Sequence, residues 1–139
     1  MTITFHVPGQ PVGKGRPRIG RVAGQARMFT PAKTASYESM VGLAAHQAMG
    51  GAPLILGPAR AVLRLTLAIP ASWSRKKQEQ ARMGAVLPLT KPDADNVVKA
   101  IFDAINGVVW RDDSQVVELT LTKVYGSTPG VYVRIEELK

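Results

Sequence analysis

Apolar and polar residues alternate with a period of two in three parts of the chain. Ile3, Phe5 and Val7 share one face of residues 2–7. Ala61, Leu63, Leu65, Leu67 and Ile69 share one face of residues 60–69, and Val131, Val133 and Ile135 repeat the pattern near the end. Such alternation predicts half-buried strands. Elsewhere the spacing is helical. Thr30 as N-cap and Pro31 at the first helical position open a stretch carrying Tyr37, Met40, Val41, Ala44, Ala45 and Ala48, which Gly50-Gly51 closes. Ser74 can cap a short basic helix reaching about Met83, with Gly84 as its stop. Asp95 or Asn96 caps a third helix whose apolar face is Val97, Val98, Ile101, Phe102 and Ile105, ending at Asn106-Gly107. "VVW", the turn "RDDS" and "QVVELTLTKVY" then predict a hairpin. The order β-α-β-α-α-β-β-β predicts a single α+β domain over residues 1–139, a mixed or antiparallel β-sheet packed by helices.

Residues 8–27, "PGQPVGKGRPRIGRVAGQAR", break this regularity. Their Gly, Pro and Arg content reads as a long loop, with 9–27 forming a basic arm. The rest of the composition is that of a globular chain, with 45% apolar residues. At 139 residues it can bury about two-thirds of its unfolded surface, enough for one core. No apolar run approaches the roughly 20 residues a bilayer span needs. The start, "MTITFHVPG", has no signal-peptide core, so the expectation is a cytoplasmic protein with no membrane role. The absence of cysteine excludes disulfides and thiolate metal sites.

Charge changes the picture. Eighteen Lys and Arg oppose ten Asp and Glu, a formal charge of +8. A basic chain suits a polyanion, most commonly nucleic acid. Lys14, Arg16, Arg18, Arg21, Arg27 and Lys33 all precede the first acidic residue, Glu38. With Arg75, Lys76 and Lys77 of the short helix, and Lys91, they are the candidates for phosphate contacts. All five aspartates, in contrast, fall between Asp93 and Asp113.

That acidic cluster, in "TKPDADNVVKAIFDAING", is the candidate site. In an extended segment residues i and i+2 point to one side, so Asp93 and Asp95 are expected to aim at one volume. This volume lies at a helix N-terminus, where the dipole favours anions. Asp112 and Asp113, in the expected hairpin turn, are a second source of carboxylates. Oxygen donors from two loops suit Mg²⁺, with Mn²⁺ as substitute, and a divalent ion would relieve their mutual repulsion. Such an ion in a basic protein suits phosphodiester hydrolysis. Lys99, one helical turn after Asp95, could meet charge developing on the phosphate, or form an ordinary i,i+4 pair with Asp95. Asp103 reads as a helix-surface charge.

Other motifs fail on spacing. "GQPVGKG" is not a phosphate-binding P-loop, since Gly15 follows the lysine. Val97 and Val98 occupy the third-ligand and glycine positions of a calcium loop beginning at Asp93. His6 and His46 have no second histidine at ligand spacing.

"KPDADNVVKAIFDAING", followed by "VWRDDSQV" and Lys123, resembles the RusA family of Holliday junction resolvases. The likeness extends to "KGRPR" at 14–18, "RMFTPAKTASYE" at 27–38 and "PASWSRKK" at 70–77, and so covers nearly the whole chain. The resemblance implies a small α+β homodimeric endodeoxyribonuclease, bacterial or phage-encoded, dependent on Mg²⁺ and free of small-molecule cofactors. It would cut paired strands at four-way DNA junctions in recombination and repair. Carried over by position, the metal-binding aspartates are Asp93, Asp95 and Asp113. The family lysine is Lys99, and Asn96 would orient a carboxylate or a water. Only one of Asp112 and Asp113 need face the metal, because neighbours in extended chain point oppositely. A symmetric dimer suits a nearly two-fold junction.

Two alternatives stand beside this reading: a nuclease acting on other branched DNA, and a non-catalytic DNA-binding protein. Trp73, Trp110, Phe29 and Tyr37 could stack on unpaired bases or fill the core, and Trp110 fits the core or an interface better.

Overall fold

The computed structural model describes residues 1–15, 18–29 and 31–139, with the backbone alone for Arg18, Val22, Arg27, Met28 and Phe29. Arg16, the expected cap Thr30, and the side chains of Arg18, Arg27 and Phe29 lie outside the described residues.

Each alternating stretch forms a strand: β1 (Thr2–Pro8), β4 (Ala59–Ala68) and β6 (Gly130–Glu137). With β5 (Val116–Gly126) they make a four-stranded sheet in the order β1-β6-β4-β5. β6 runs antiparallel to both β1 and β4, while β4 and β5 are parallel. Register aligns the apolar faces in rows. Phe5 lies opposite Val133, Val133 opposite Leu63, and Leu63 opposite Leu121. The next row runs Val7, Val131, Leu65 and ends on Lys123.

This face packs against α1 (Ala32–Met49) and α3 (Ala94–Ile105), which also touch each other. The short helix is α2 (Arg75–Arg82), beside β5. Val97, Ala100, Ile101, Phe102 and Ile105 are buried on α3. On α1 the buried stripe is Thr34, Tyr37, Val41, Ala45 and Met49. Met40 and Ala48, expected on that stripe, are exposed, because the core meets the face one position round. Pro31 is the N-cap of α1 rather than its first helical residue. Among the described residues no helix is long and apolar enough to cross a membrane.

Two parts of the expected order are corrected. The segment 9–27 is not all loop. Arg18–Val22 (β2) and Gln25–Phe29 (β3) form an antiparallel hairpin. Its two-residue turn puts both Ala23 and Gly24 at positive φ, the geometry that matches strand twist. Only Gly24 adopts it without steric cost, so the usual Asn-Gly signature is missing. The second correction concerns "VVW-RDDS-QVV". No hairpin forms there. Trp110 makes isolated bridges to Ile55 and Asn106, and Asp113–Gln115 form one 3₁₀ turn leading into β5. The partner of β5 is the distant β4, reached by the crossover through α2 and α3.

Candidate active site at the N-terminus of α3

Three segments build an open groove of about 700 Å³: the loop 10–15, the start of α1, and the start of α3. Its lining includes Gly13, Lys14, Lys33, Lys91, Asp93 and Asn96. The loop is seated by its backbone. The Lys14 N–H donates to the Asn96 carbonyl at 2.8 Å, and the Gly15 N–H donates to Thr34 Oγ1 at 2.9 Å. Both neighbouring positions leave little room for a side chain, Gly15 least. A Cβ on Gly13 would lie 3.1 Å from the Asn96 Cβ, and one on Gly15 would lie 2.8 Å from Pro31 Cγ.

Asp93 and Asp95 are both at the first turn of α3 and both exposed, but not as expected. The helix begins at Ala94, so Asp93 is the N-cap and Asp95 lies inside the first turn. Their proximity comes from a helix start, not from strand alternation. Asp93 makes no capping hydrogen bond with its side chain. A cap aspartate usually spends its carboxylate on the N2 or N3 amide. Here that carboxylate remains available at the positive end of the helix.

The segment before α3 is tied to the sheet. Lys123, at the end of its core row, donates its ammonium to the Thr90 carbonyl at 2.5 Å. Lys99 is exposed on α3, and among the described residues it forms no ion pair with Asp95. The i,i+4 bridge to Asp95, the alternative reading of Lys99, is thus absent.

The downstream pair divides its roles. The Asp112 carboxylate accepts from the Ser114 N–H at 3.1 Å, capping the 3₁₀ turn. Hydrogen bonding to Ser114 holds its pKa below the usual carboxylate value. Gln115 completes the box: its Oε1 accepts from the Arg111 and Asp112 amides, and its Nε2 donates to the Ile55 and Gly57 carbonyls. Asp113 takes no part in that box. However, Asp113 follows Trp110, whose indole N–H donates to Asn106 Oδ1 at the C-terminal end of α3. Asp93 is at the other end. Twelve helical residues, about 18 Å at 1.5 Å per residue, lie between Asp93 and the Asn106 that anchors Trp110. In one chain, among the described residues, no three His, Asp or Glu side chains gather closely enough to hold a metal ion. The donor chemistry of Asp93 and Asp95, hard and exposed carboxylates, fits Mg²⁺ or Mn²⁺.

Of the candidate phosphate contacts, Lys33 and Lys91 line the groove, and Arg75, Lys76 and Lys77 are exposed on α2. Arg21 is exposed on the β2-β3 hairpin. Lys14 is different. Its side chain is only 16% exposed and is paired with Glu38 and with Asp103, the latter at 3.3 Å. It is therefore a half-buried, paired cation, and Asp103 is its partner rather than a free surface charge. Trp73 is also committed: it packs edge-on to Tyr125, with the Lys77 ammonium 4.0 Å from its ring centroid. Trp110 and Tyr37 are buried in the core. Sequence reasoning missed the partners of Lys14, Lys123 and Trp73, because each contact joins residues far apart in the chain or in different elements.

Two sequence comparisons cover nearly the whole chain. The family model described as "Endodeoxyribonuclease RusA" matches residues 8–136. The chain is also similar to "Uncharacterized protein YqaN" of Bacillus subtilis (strain 168), at 41% identity over 138 residues, 98% of this chain and 96% of that protein.

Proposed function

This chain belongs to the RusA endodeoxyribonuclease family, and on that premise we propose that it is a divalent-metal-dependent endonuclease resolving four-way DNA junctions by paired nicks. The observation that carries the reading is the KPDADN motif at the start of α3. It puts two exposed carboxylates beside a groove lined by Lys33 and Lys91. Asp93 and Asp95 would hold the cation. When bound there, Mg²⁺ would lower the pKa of a water and offset charge on the phosphate. The lysines of the groove draw in and orient the DNA backbone, a salt-sensitive attraction. Lys99, one turn along and unpaired with Asp95, would meet negative charge on the phosphate oxygens. Asn96 holds the loop 10–15 through its main-chain carbonyl.

The third aspartate, Asp113, belongs to the same reading only if it comes from a second copy. What supports a shared site is its separation from Asp93 by the length of α3. What supports the contact surface is β5, an edge strand with Val117 and Leu119 exposed at 63% and 47%. Open strand edges readily pair with another chain. Two β5 strands paired antiparallel across a two-fold axis near Leu119–Thr120 would set the start of one beside the end of the other. Asp113 of one copy would then approach Lys123, Thr90 and Asp93 of its mate. A homodimer built this way carries two equivalent sites, one for each of two symmetric strands.

Incubation with Mg²⁺ and synthetic DNA tests the proposal. Paired nicks in a four-way junction, with linear duplex spared, are expected. Equal rates on flaps and junctions would widen the substrate class to branched DNA in general. No cleavage in Mg²⁺ or Mn²⁺ would leave a DNA-binding protein and overturn the enzymatic reading.

A further inference from the structure

We infer that Lys14 is a positioning residue: a half-buried brace that ties the first turn of α3, with Asp93 and Asp95, to α1. The inference rests on the nuclease reading for its consequence, though not for its geometry. Four contacts converge on residues 14 and 15. The Lys14 ammonium meets Glu38 on α1 and Asp103 on α3. Its own amide binds the Asn96 carbonyl, and the next amide binds Thr34. Asn96 and Asp103 are seven residues apart, two turns on one face of α3. One residue therefore grips that helix at two heights while holding α1 with the same ammonium.

The electrostatics favour a fixed cation. Burial works against the charge on Lys14, but the hydrogen bonds to Glu38 and Asp103 outweigh it and raise its pKa. Two carboxylates facing each other without that ammonium would repel, pushing α1 and α3 apart. A lysine with three donors can serve both acids and keep only a small part of its surface in solvent. It has little left to offer a phosphate. A reacting group shifted by about 1 Å can cost about 10²-fold in rate, so loosening this brace should slow cleavage more than it weakens binding.

The test compares Lys14→Met, Lys14→Arg and Asp103→Asn with the parent protein in three measurements. These are junction affinity against salt, single-turnover cleavage of bound junction, and hydrogen exchange of residues 91–100. Lys14→Met is expected to keep its affinity within about twofold and its salt slope unchanged, while cleaving at least about tenfold more slowly, the scale set by such misplacement. Residues 91–100 should exchange faster. Asp103→Asn should move the same way by less, and Lys14→Arg should recover part of the rate. A salt slope smaller by about one would mark a lost phosphate contact and overturn the inference. So would unchanged exchange at residues 91–100. Exchange is read without DNA, so a parent protein that fails to cut would sink the nuclease reading and leave the brace decided separately. Should Lys14→Met not fold, Asp103→Asn and Lys14→Arg decide by the same exchange measurement.

Discussion

Asp93 and Asp113 stand at opposite ends of α3, the first as its N-cap and the second just past the Trp110–Asn106 contact at its C-terminus. In the proposed function both serve one metal. Within a chain the helix itself holds them apart, since its length is set by twelve residues of regular backbone.

A mixing experiment follows directly. Asp93→Asn and Asp113→Asn should each abolish cleavage while keeping junction binding. Mixed and allowed to exchange subunits, they should regain activity, because half of the mixed dimer's sites combine an intact Asp93 with an intact Asp113. The product should be single nicks rather than paired ones, seen on denaturing gels. A site built within one chain predicts no recovery at any ratio.

Replacing Lys99 with Met should lower single-turnover cleavage by about 10²-fold, the usual scale for removing one group that meets developing charge. Junction affinity should change by less than about threefold, since one exposed lysine is a small share of a multi-phosphate contact. Proportional loss of binding and cleavage would instead make Lys99 an ordinary phosphate contact.

Gly15→Ala should destabilise the fold by about 1–3 kcal/mol, the range for forcing a methyl group into filled space. The added carbon would meet Pro31 Cγ at 2.8 Å and Thr34 Oγ1 at 2.9 Å. Urea unfolding should show a lower midpoint with an unchanged slope. Gly24→Ala, which meets only strain of positive φ at an open turn, should cost less.

Tyr37 sets an alkaline limit on stability. Its hydroxyl is buried and, among the described residues, makes no well-formed hydrogen bond; burial pushes its pKa up to about 12, the nearby Val12 backbone pulling weakly the other way. The unfolded phenol ionises from about pH 10. The folded state keeps it neutral, so its contribution is complete below pH 10 and is lost as pH rises through about 12. Lys14, also raised, fails in the same direction. Denaturation between pH 9 and 12 should show stability falling, with a shallower fall in Tyr37→Phe. At pH 7 that variant should be neutral to slightly stabilising, because it deletes an unpaired buried hydroxyl.

The elements were legible where one local rule governs them. Alternation placed β1, β4 and β6, and Ser74 and Gly84 bounded α2, its cap hydrogen bond from the Lys77 amide included. Local rules misled where a partner decides the outcome. Asp112-Asp113 has the composition of a hairpin turn, yet the Gln115 amide binding Ile55 and Gly57 draws that turn toward the start of β4. Arg and Gly richness in 18–29 hid a hairpin whose turn uses Ala23 at positive φ. Lys14 resembled its basic neighbours until Glu38 and Asp103 were found around it.

By itself, then, the sequence determined the α+β class, the apolar faces and the identity of the acidic and basic residues, since side-chain chemistry and backbone periodicity are local properties. Tertiary structure decided which charges are spent inside the protein and which face the groove. It also set the distance between the two halves of the acidic motif. Those depend on helices and strands that close over tens of residues, and no spacing along the chain encodes the length of a rigid helix standing between two aspartates.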